Sequence, residues 1–334
     1  MAELLGPELD SILEGTSRSF YLSLKQLPSK TRSQIGLLYL LARTSDTIAD
    51  SEAGLPERRI QALKEYNEKA QGRSEVSPDL SDLASAQSNE SEMKLLRKVT
   101  ETVACIANFN ESDQKHIRNC LDIIVSGQAL DLERFSKASE TNIISLRDKG
   151  ELDDYAYRVA GSVGEFWTRM SIDHLFKADD ETADFLFHRS VRFGKALQLI
   201  NILRDIPEDL RLGRCYVPRE SLEVSGLAVS DLLDPSNMEK FRPIYEDYIE
   251  IASQHLAAAV EYIGMLPHGQ YRLRGACMFP VLLGKQTLTM LRISNVLDSN
   301  NRIKVSRREV KEMRNKILLA LPFNGRSKKL LEAQ

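Results

Sequence analysis

The sequence predicts an all-α fold, and three observations carry that prediction. Glycine and proline are sparse, 17 and 11 in 334 residues, so few positions interrupt a helix. Apolar residues recur at spacings of three and four, the period of a single helix face. The alternation of a half-buried strand is almost absent. With 42% hydrophobic and 28% charged residues, the chain can close a large core, and a single domain over 1–334 is expected.

Bulk properties exclude several classes of function. Charges of both signs are interspersed and the net charge is −3, so there is no basic footprint for nucleic acid. No apolar run reaches the roughly 18–20 residues of a membrane span. Cys105, Cys120, Cys215 and Cys277 have no C-x-x-C spacing and no signal peptide precedes them, so they read as reduced thiols of a cytoplasmic protein. The five histidines lack metal-ligand spacing, and no G-x-G-x-x-G unit follows a strand.

Taken in order, residues 8–26 form a first helix containing Ser17-Arg18-Ser19-Phe20, and Pro28 opens the connection to the next,. The helix over 35–50 places Tyr39, Arg43, Asp46 and Asp50 at spacings of 4, 3 and 4 within an apolar run,. Residues 71–92, rich in serine and acids, read as a mobile surface loop,. A helix over 113–135 carries Gln128, Asp131 and Phe135 on one stripe beside Gly127. That stripe suits a solvated face as well as a cavity wall. The helix over 154–167 holds Gly161 and Gly164, and glycine in a helix costs about 1 kcal/mol, so another group approaches the backbone there. Close helix packing explains this as well as a ligand does.

The helix over 194–209 repeats the pattern of 35–50. Gln198, Asn201, Asp205 and Asp209 are spaced 3, 4 and 4, while Leu197, Leu199, Ile200, Ile202 and Leu203 make the rest of the cylinder apolar. A helix apolar on most sides is buried, and burying such a polar stripe is unfavourable without a compensating ligand. Two D-x-x-x-D faces opposed across a cavity would hold Mg²⁺ with positions open for phosphate oxygens. Arg43 and Arg204 accompany them. Pro207, between the acids, lacks a backbone donor and is expected to kink the helix or end it nearby. Residues 240–266 form a further amphipathic helix, ended by Pro267-His-Gly269.

Asp46-Thr-Ile-Ala-Asp50 and Asn201-Ile-Leu-Arg-Asp-Ile-Pro-Glu-Asp209 resemble the two aspartate-rich motifs of the squalene/phytoene synthases, the head-to-head prenyltransferases. The S-R-S-F segment and Tyr155-Ala-Tyr-Arg-Val-Ala-Gly-Ser-Val-Gly164 are similar to two further motifs, so the likeness spans roughly residues 10–320. It implies a helical bundle around an apolar cavity with the aspartates at its mouth. Mg²⁺ would sit on Asp46, Asp50, Asp205 and Asp209. Ser17, Arg18, Phe20, Arg43, Gln198, Asn201 and Arg204 would bind diphosphate, and Tyr155 would be the catalytic tyrosine.

Two late segments, Arg272 to Leu288 and Arg302-Ile-Lys-Val-Ser-Arg-Arg308, resemble the squalene synthases more than the phytoene synthases. The latter segment is similar to the stretch used near the NADPH phosphate, which implies Lys304 and Arg307, although a solvated basic helix start fits equally. The implied reaction joins two farnesyl diphosphates through presqualene diphosphate to squalene. Alternatives are a non-reducing phytoene, dehydrosqualene or presqualene diphosphate synthase, with geranylgeranyl diphosphate as the longer substrate, and, from another class, a non-catalytic helical scaffold. The ending Lys-Lys-Leu-Leu-Glu-Ala-Gln is not the apolar anchor of the eukaryotic enzymes. This leaves room for peripheral membrane contact during product release.

Overall fold

The computed structural model describes residues 5–17, 19–51 and 53–333. In chain order the first helices are α1 (Pro7–Ser17), α2 (Ser19–Gln26), α3 (Ser29–Ala49), α4 (Pro56–Ala70), α5 (Ser81–Ser85), α6 (Glu90–Arg97), α7 (Val99–Ala104) and α8 (Glu111–Arg134). There follow α9 (Lys149–Ala156), a π-helical turn at Tyr157–Gly161, α10 (Ser162–His174), α11 (Asp180–Arg204), α12 (Ile206–Arg211) and α13 (Arg219–Val224). The chain closes with α14 (Met238–Met265), α15 (Tyr271–Ile293), α16 (Arg307–Ala320) and α17 (Asn324–Glu332). Among the described residues the only sheet is a two-residue parallel ribbon, β1 (Ile144–Ser145) against β2 (Arg214–Cys215), paired Ile144 to Arg214 and Ser145 to Cys215. The all-α expectation is met.

By packing, the chain divides into two compact units, 1–133 with 165–178, and 134–164 with 179–334. In the first unit α3 is the central helix. Leu37, Leu40, Leu41 and Ile48 are buried, as are Leu63 and Tyr66 of α4 and Leu95 and Leu96 of α6. The Tyr66 hydroxyl donates to the Leu41 carbonyl at 2.8 Å, so the ring is buried without stranding its polar end.

In the second unit α11 packs on α14 and on the π turn. Glycines allow the second contact, because a Cβ on Gly164 would run into the Ser190 carbonyl and one on Gly194 into that of Ala160. Of the two explanations for the glycines left open by the sequence, helix packing is the one built here. Gly213, with φ +74°, also requires glycine: a Cβ there would strike the Ser139 backbone,. It turns the chain out of α12 into β2.

Two element boundaries differ from the sequence reading, and a third falls where Pro207 places it. The expected loop at 71–92 contains α5 and the start of α6, because Leu80, Leu83 and Ala84 are buried and Arg58 binds Asp82 at 2.9 Å. The helix over 154–167 widens into the π turn. The helix over 194–209 divides at Asp205, as Pro207 foretold.

Candidate active site

Asp46 and Asp50 occupy the C-terminal end of α3. Asp50 is the C-cap (φ −90°, ψ 1°), and its amide donates to the Asp46 carbonyl at 2.8 Å, which stacks the two side chains one helical turn apart. Asp46 is half-buried and Asp50 exposed. Burial first, and then the neighbouring Asp50 carboxylate, push the Asp46 carboxyl from its ordinary value of 3.8 up to about 7,. Gln128 of α8 donates its amide to Asp46 Oδ1. Gln128 is 6% exposed, so it faces the acid and not solvent, which settles the question its stripe left open.

Arg43, one turn earlier on α3, is held by Glu92 of α6. The sequence reading put Glu92 at the edge of a loop and so missed it. Tyr39 completes the stripe by donating to the Thr16 carbonyl at 3.1 Å, and burial raises its phenol to about 12. Ser17, next to that carbonyl, is buried and its hydroxyl donates back to the Leu13 carbonyl. Its hydroxyl is thus used within the first helix. Arg18 and the side chain of Phe20 lie outside the described residues.

The second pair is built differently. Asp205 is at once the C-cap of α11 and the N-cap residue of α12, with φ −97° and ψ 12°. The backbone ladder nevertheless continues, Asp205 N to Asn201 O at 2.9 Å and Asp209 N to Asp205 O at 3.0 Å. Pro207 cannot donate to the carbonyl four residues back, Leu203. That carbonyl accepts instead from the buried Tyr245 hydroxyl of α14 at 3.1 Å. Arg204 grips Asp205 in a two-pronged pair, Nε to Oδ1 at 2.8 Å and Nη2 to Oδ2 at 2.6 Å,.

The polar stripe itself is not buried, contrary to the sequence reading. Asn201 is exposed, and Gln198, Asp205 and Asp209 are half-buried. Leu199, Ile200, Ile202 and Leu203 all face the interior, and burying that side of α11 does not require burying its polar stripe.

Beside Asp205 lies a hollow lined by Arg204, Glu208, Val296, Asp298, Asn301 and Arg302. From the late basic stretch it is Arg302 that lines this hollow with Asp205. Lys304 and Arg307 are exposed, and Arg307 begins α16 behind the Ser306–Glu309 capping box, the ordinary start of a solvated helix. Tyr155 is half-buried and stacked on Tyr216, ring centroids 5.0 Å apart, while Phe135 meets Tyr216 edge-on at 5.3 Å. Its neighbour Asp154 is bound by Arg158 at 2.9 Å.

The sequence profile of the squalene/phytoene synthases matches residues 13–309. The chain belongs to that family. It is 30% identical to presqualene diphosphate synthase of Zymomonas mobilis over 78% of this chain and 76% of that one. It is 24% identical to the squalene synthase of Schizosaccharomyces pombe, over 88% of this chain and 61% of the yeast protein. In structure it resembles a squalene synthase from Alicyclobacillus acidocaldarius, with a TM-score of 0.61, 21% identity, and coverage of 86% and 94%. That last likeness speaks for the fold.

As a squalene/phytoene synthase, the chain is a prenyltransferase of the head-to-head type, and the two carboxylate pairs can be tested for their fit to a divalent cation. Among the described residues no group of three or more acids, histidines or cysteines forms a closed metal cage. Mg²⁺ does not need one: it is held by one or two carboxylates and takes its other ligands from water and substrate phosphate. Each pair supplies hard oxygen donors one turn apart, and at the first the Asp50 carboxylate opposes the ionisation of Asp46. Both fit the ion.

Proposed function

We propose that this squalene/phytoene synthase condenses two molecules of farnesyl diphosphate to presqualene diphosphate. The observation that carries the reading is a local geometry made twice: in each unit an Asp amide bonds the carbonyl of the Asp one turn before it, and the first carboxylate is held by a side chain of its own unit, Gln128 or Arg204. Mg²⁺ held by Asp46 and Asp50, and by Asp205 and Asp209, would neutralise diphosphate as it leaves. Gln128 orients the Asp46 carboxylate, and Arg204 does the same for Asp205.

Diphosphate departure from one substrate gives an allylic cation at C1, which joins the double bond of the second. Loss of a proton closes the cyclopropane, and Tyr155, its ring fixed by stacking on Tyr216, is assigned to that proton transfer. Water must be kept from the cation, a task for the apolar cavity walls. Release at this stage consumes no hydride, and the relative from Zymomonas mobilis is a presqualene diphosphate synthase.

A second reading continues to squalene with NADPH. It is favoured by Arg302 at the hollow beside Arg204, with Lys304 and Arg307 following on the surface. Product analysis separates the two. Purified protein with farnesyl diphosphate and Mg²⁺ is expected to give presqualene diphosphate, with the same products when NADPH is added. Squalene appearing only with NADPH establishes the second reading, and geranylgeranyl diphosphate as the preferred substrate overturns both.

A further inference from the structure

The corner between α16 and α17 leaves large apolar side chains in solvent. Leu318 is 59% exposed, Leu319 71% and Phe323 52%, whereas Ile317, Ala320 and Leu321 beside them are buried. The core thus holds this corner from one side and the other side has no protein cover among the described residues. Scattered single apolar residues on a surface are normal, but three within six positions form a tip.

The charge around the tip is unlike that of the chain as a whole. Residues 307–333 contain eight lysines and arginines against three glutamates, in a chain of net charge −3. Arg314, Lys316, Arg326, Lys328 and Lys329 are all exposed, and the Arg326 guanidinium lies 4.5 Å from the Phe323 ring centroid. Behind the tip is a further positive charge. Arg274 of α15 is only 5% exposed, and its Nη1 donates to two neutral acceptors, His268 Nδ1 at 2.8 Å and Asn324 Oδ1 at 3.1 Å. No carboxylate among the described residues pairs with it, and its Nε has no partner. A buried guanidinium is ordinarily compensated by an acid, so this one leaves its field uncancelled beside the first residue of α17.

We propose that the α16–α17 corner docks on the surface of an anionic phospholipid bilayer. Leu318, Leu319 and Phe323 enter the interface, and Arg326, Lys328 and Lys329 meet the headgroup phosphates. An apolar tip ringed by cations is complementary to such a surface, which has an apolar interior beneath negative charge. A neutral protein partner would satisfy the leucines and leave the cations unmatched. No described helix is long and apolar enough to cross a membrane, so the contact is with the surface alone.

Vesicle flotation of the full chain, without substrate, tests this independently of the product. The protein is expected to float with vesicles of phosphatidylcholine and phosphatidylglycerol, to be released by high salt, and to ignore phosphatidylcholine alone. Leu318→Ser/Leu319→Ser/Phe323→Ser should cut the partition coefficient by at least about tenfold, and Arg326→Gln/Lys328→Gln/Lys329→Gln by roughly a hundredfold at low salt. Unchanged circular dichroism and condensation activity would show that both variants fold.

Three results would overturn the proposal. One is failure of the wild type to bind the anionic vesicles, or equal binding by the variants. Another is a dimer in sedimentation that the apolar triple variant dissociates, which would assign the tip to a second copy. The third is complete competition by inorganic phosphate at constant ionic strength, which would leave only an anion site.

Discussion

The two aspartate pairs have the same spacing and opposite electrostatics. Asp46 sits at the end of an unbroken helix with burial and Asp50 both against its ionisation, and Gln128 is its donor. Asp205 sits at a joint between two helices and already has Arg204 as a counter-ion. At the first site burial and Asp50 outweigh Arg43 and leave the Asp46 anion disfavoured, while at the second Asp205 is paired with Arg204. Identical motifs therefore do not make equivalent sites: the tertiary surroundings decide which carboxylate is disfavoured as an anion.

The largest expected effect breaks the comparison at the level of stability. Asp46→Asn and Asp205→Asn should each lower turnover by about a thousandfold or more, since each removes a carboxylate proposed above to hold the ion that activates diphosphate. Thermal unfolding of the metal-free variants should then separate them. Asp46→Asn is expected to unfold at or above the wild-type temperature, because a buried carboxylate is lost, and Asp205→Asn below it, because Arg204 loses its partner. Equal shifts in the two melting curves would end the distinction.

A pH series sharpens the same contrast. The Asp46 carboxyl is raised in the folded chain, so between 3.8 and about 7 the folded state holds a proton that the unfolded state has lost. Stability of the metal-free protein should accordingly fall as pH rises through that window, by on the order of a few kcal/mol. Asp46→Asn should flatten the profile. Mg²⁺ should restore more stability at pH 8 than at pH 5, as read by denaturant midpoints with and without chelator.

Next in size, Gln128→Leu keeps the volume and removes the donor to Asp46. Activity at limiting Mg²⁺ should drop by about ten- to a hundredfold, with partial recovery at high Mg²⁺. An unaltered Mg²⁺ dependence would show that Gln128 is not orienting the carboxylate.

The smallest effect concerns the joint of the second pair. Tyr245→Phe leaves the Leu203 carbonyl without its hydroxyl donor and should cost about 1–3 kcal/mol. In a Pro207→Ala background, where a backbone amide is again present, the same change should cost less. Additive losses in that double-mutant cycle would mean that Tyr245 does not substitute for the missing donor.

What the sequence determined alone is what depends on local spacing. The all-α class, the two D-x-x-x-D faces, the break at Pro207 and the end of α14 before Pro267 were all legible, because helix period and proline's missing donor act within a few residues. The burial of the second stripe was misjudged, since five neighbouring apolar residues suggested a helix buried all round, while the packing used only one side of it. Only the tertiary structure decided the rest. Gln128 reaches Asp46 across 82 residues of sequence and Glu92 reaches Arg43 across 49, and neither pairing leaves a periodic trace. The π turn before α10, the glycine contact with α11, and the lone charge of Arg274 likewise arise from which helices meet. Spacing fixes which side chains share a face, and packing fixes what that face is held against, which is where the carboxyl of Asp46 acquires its unusual proton affinity.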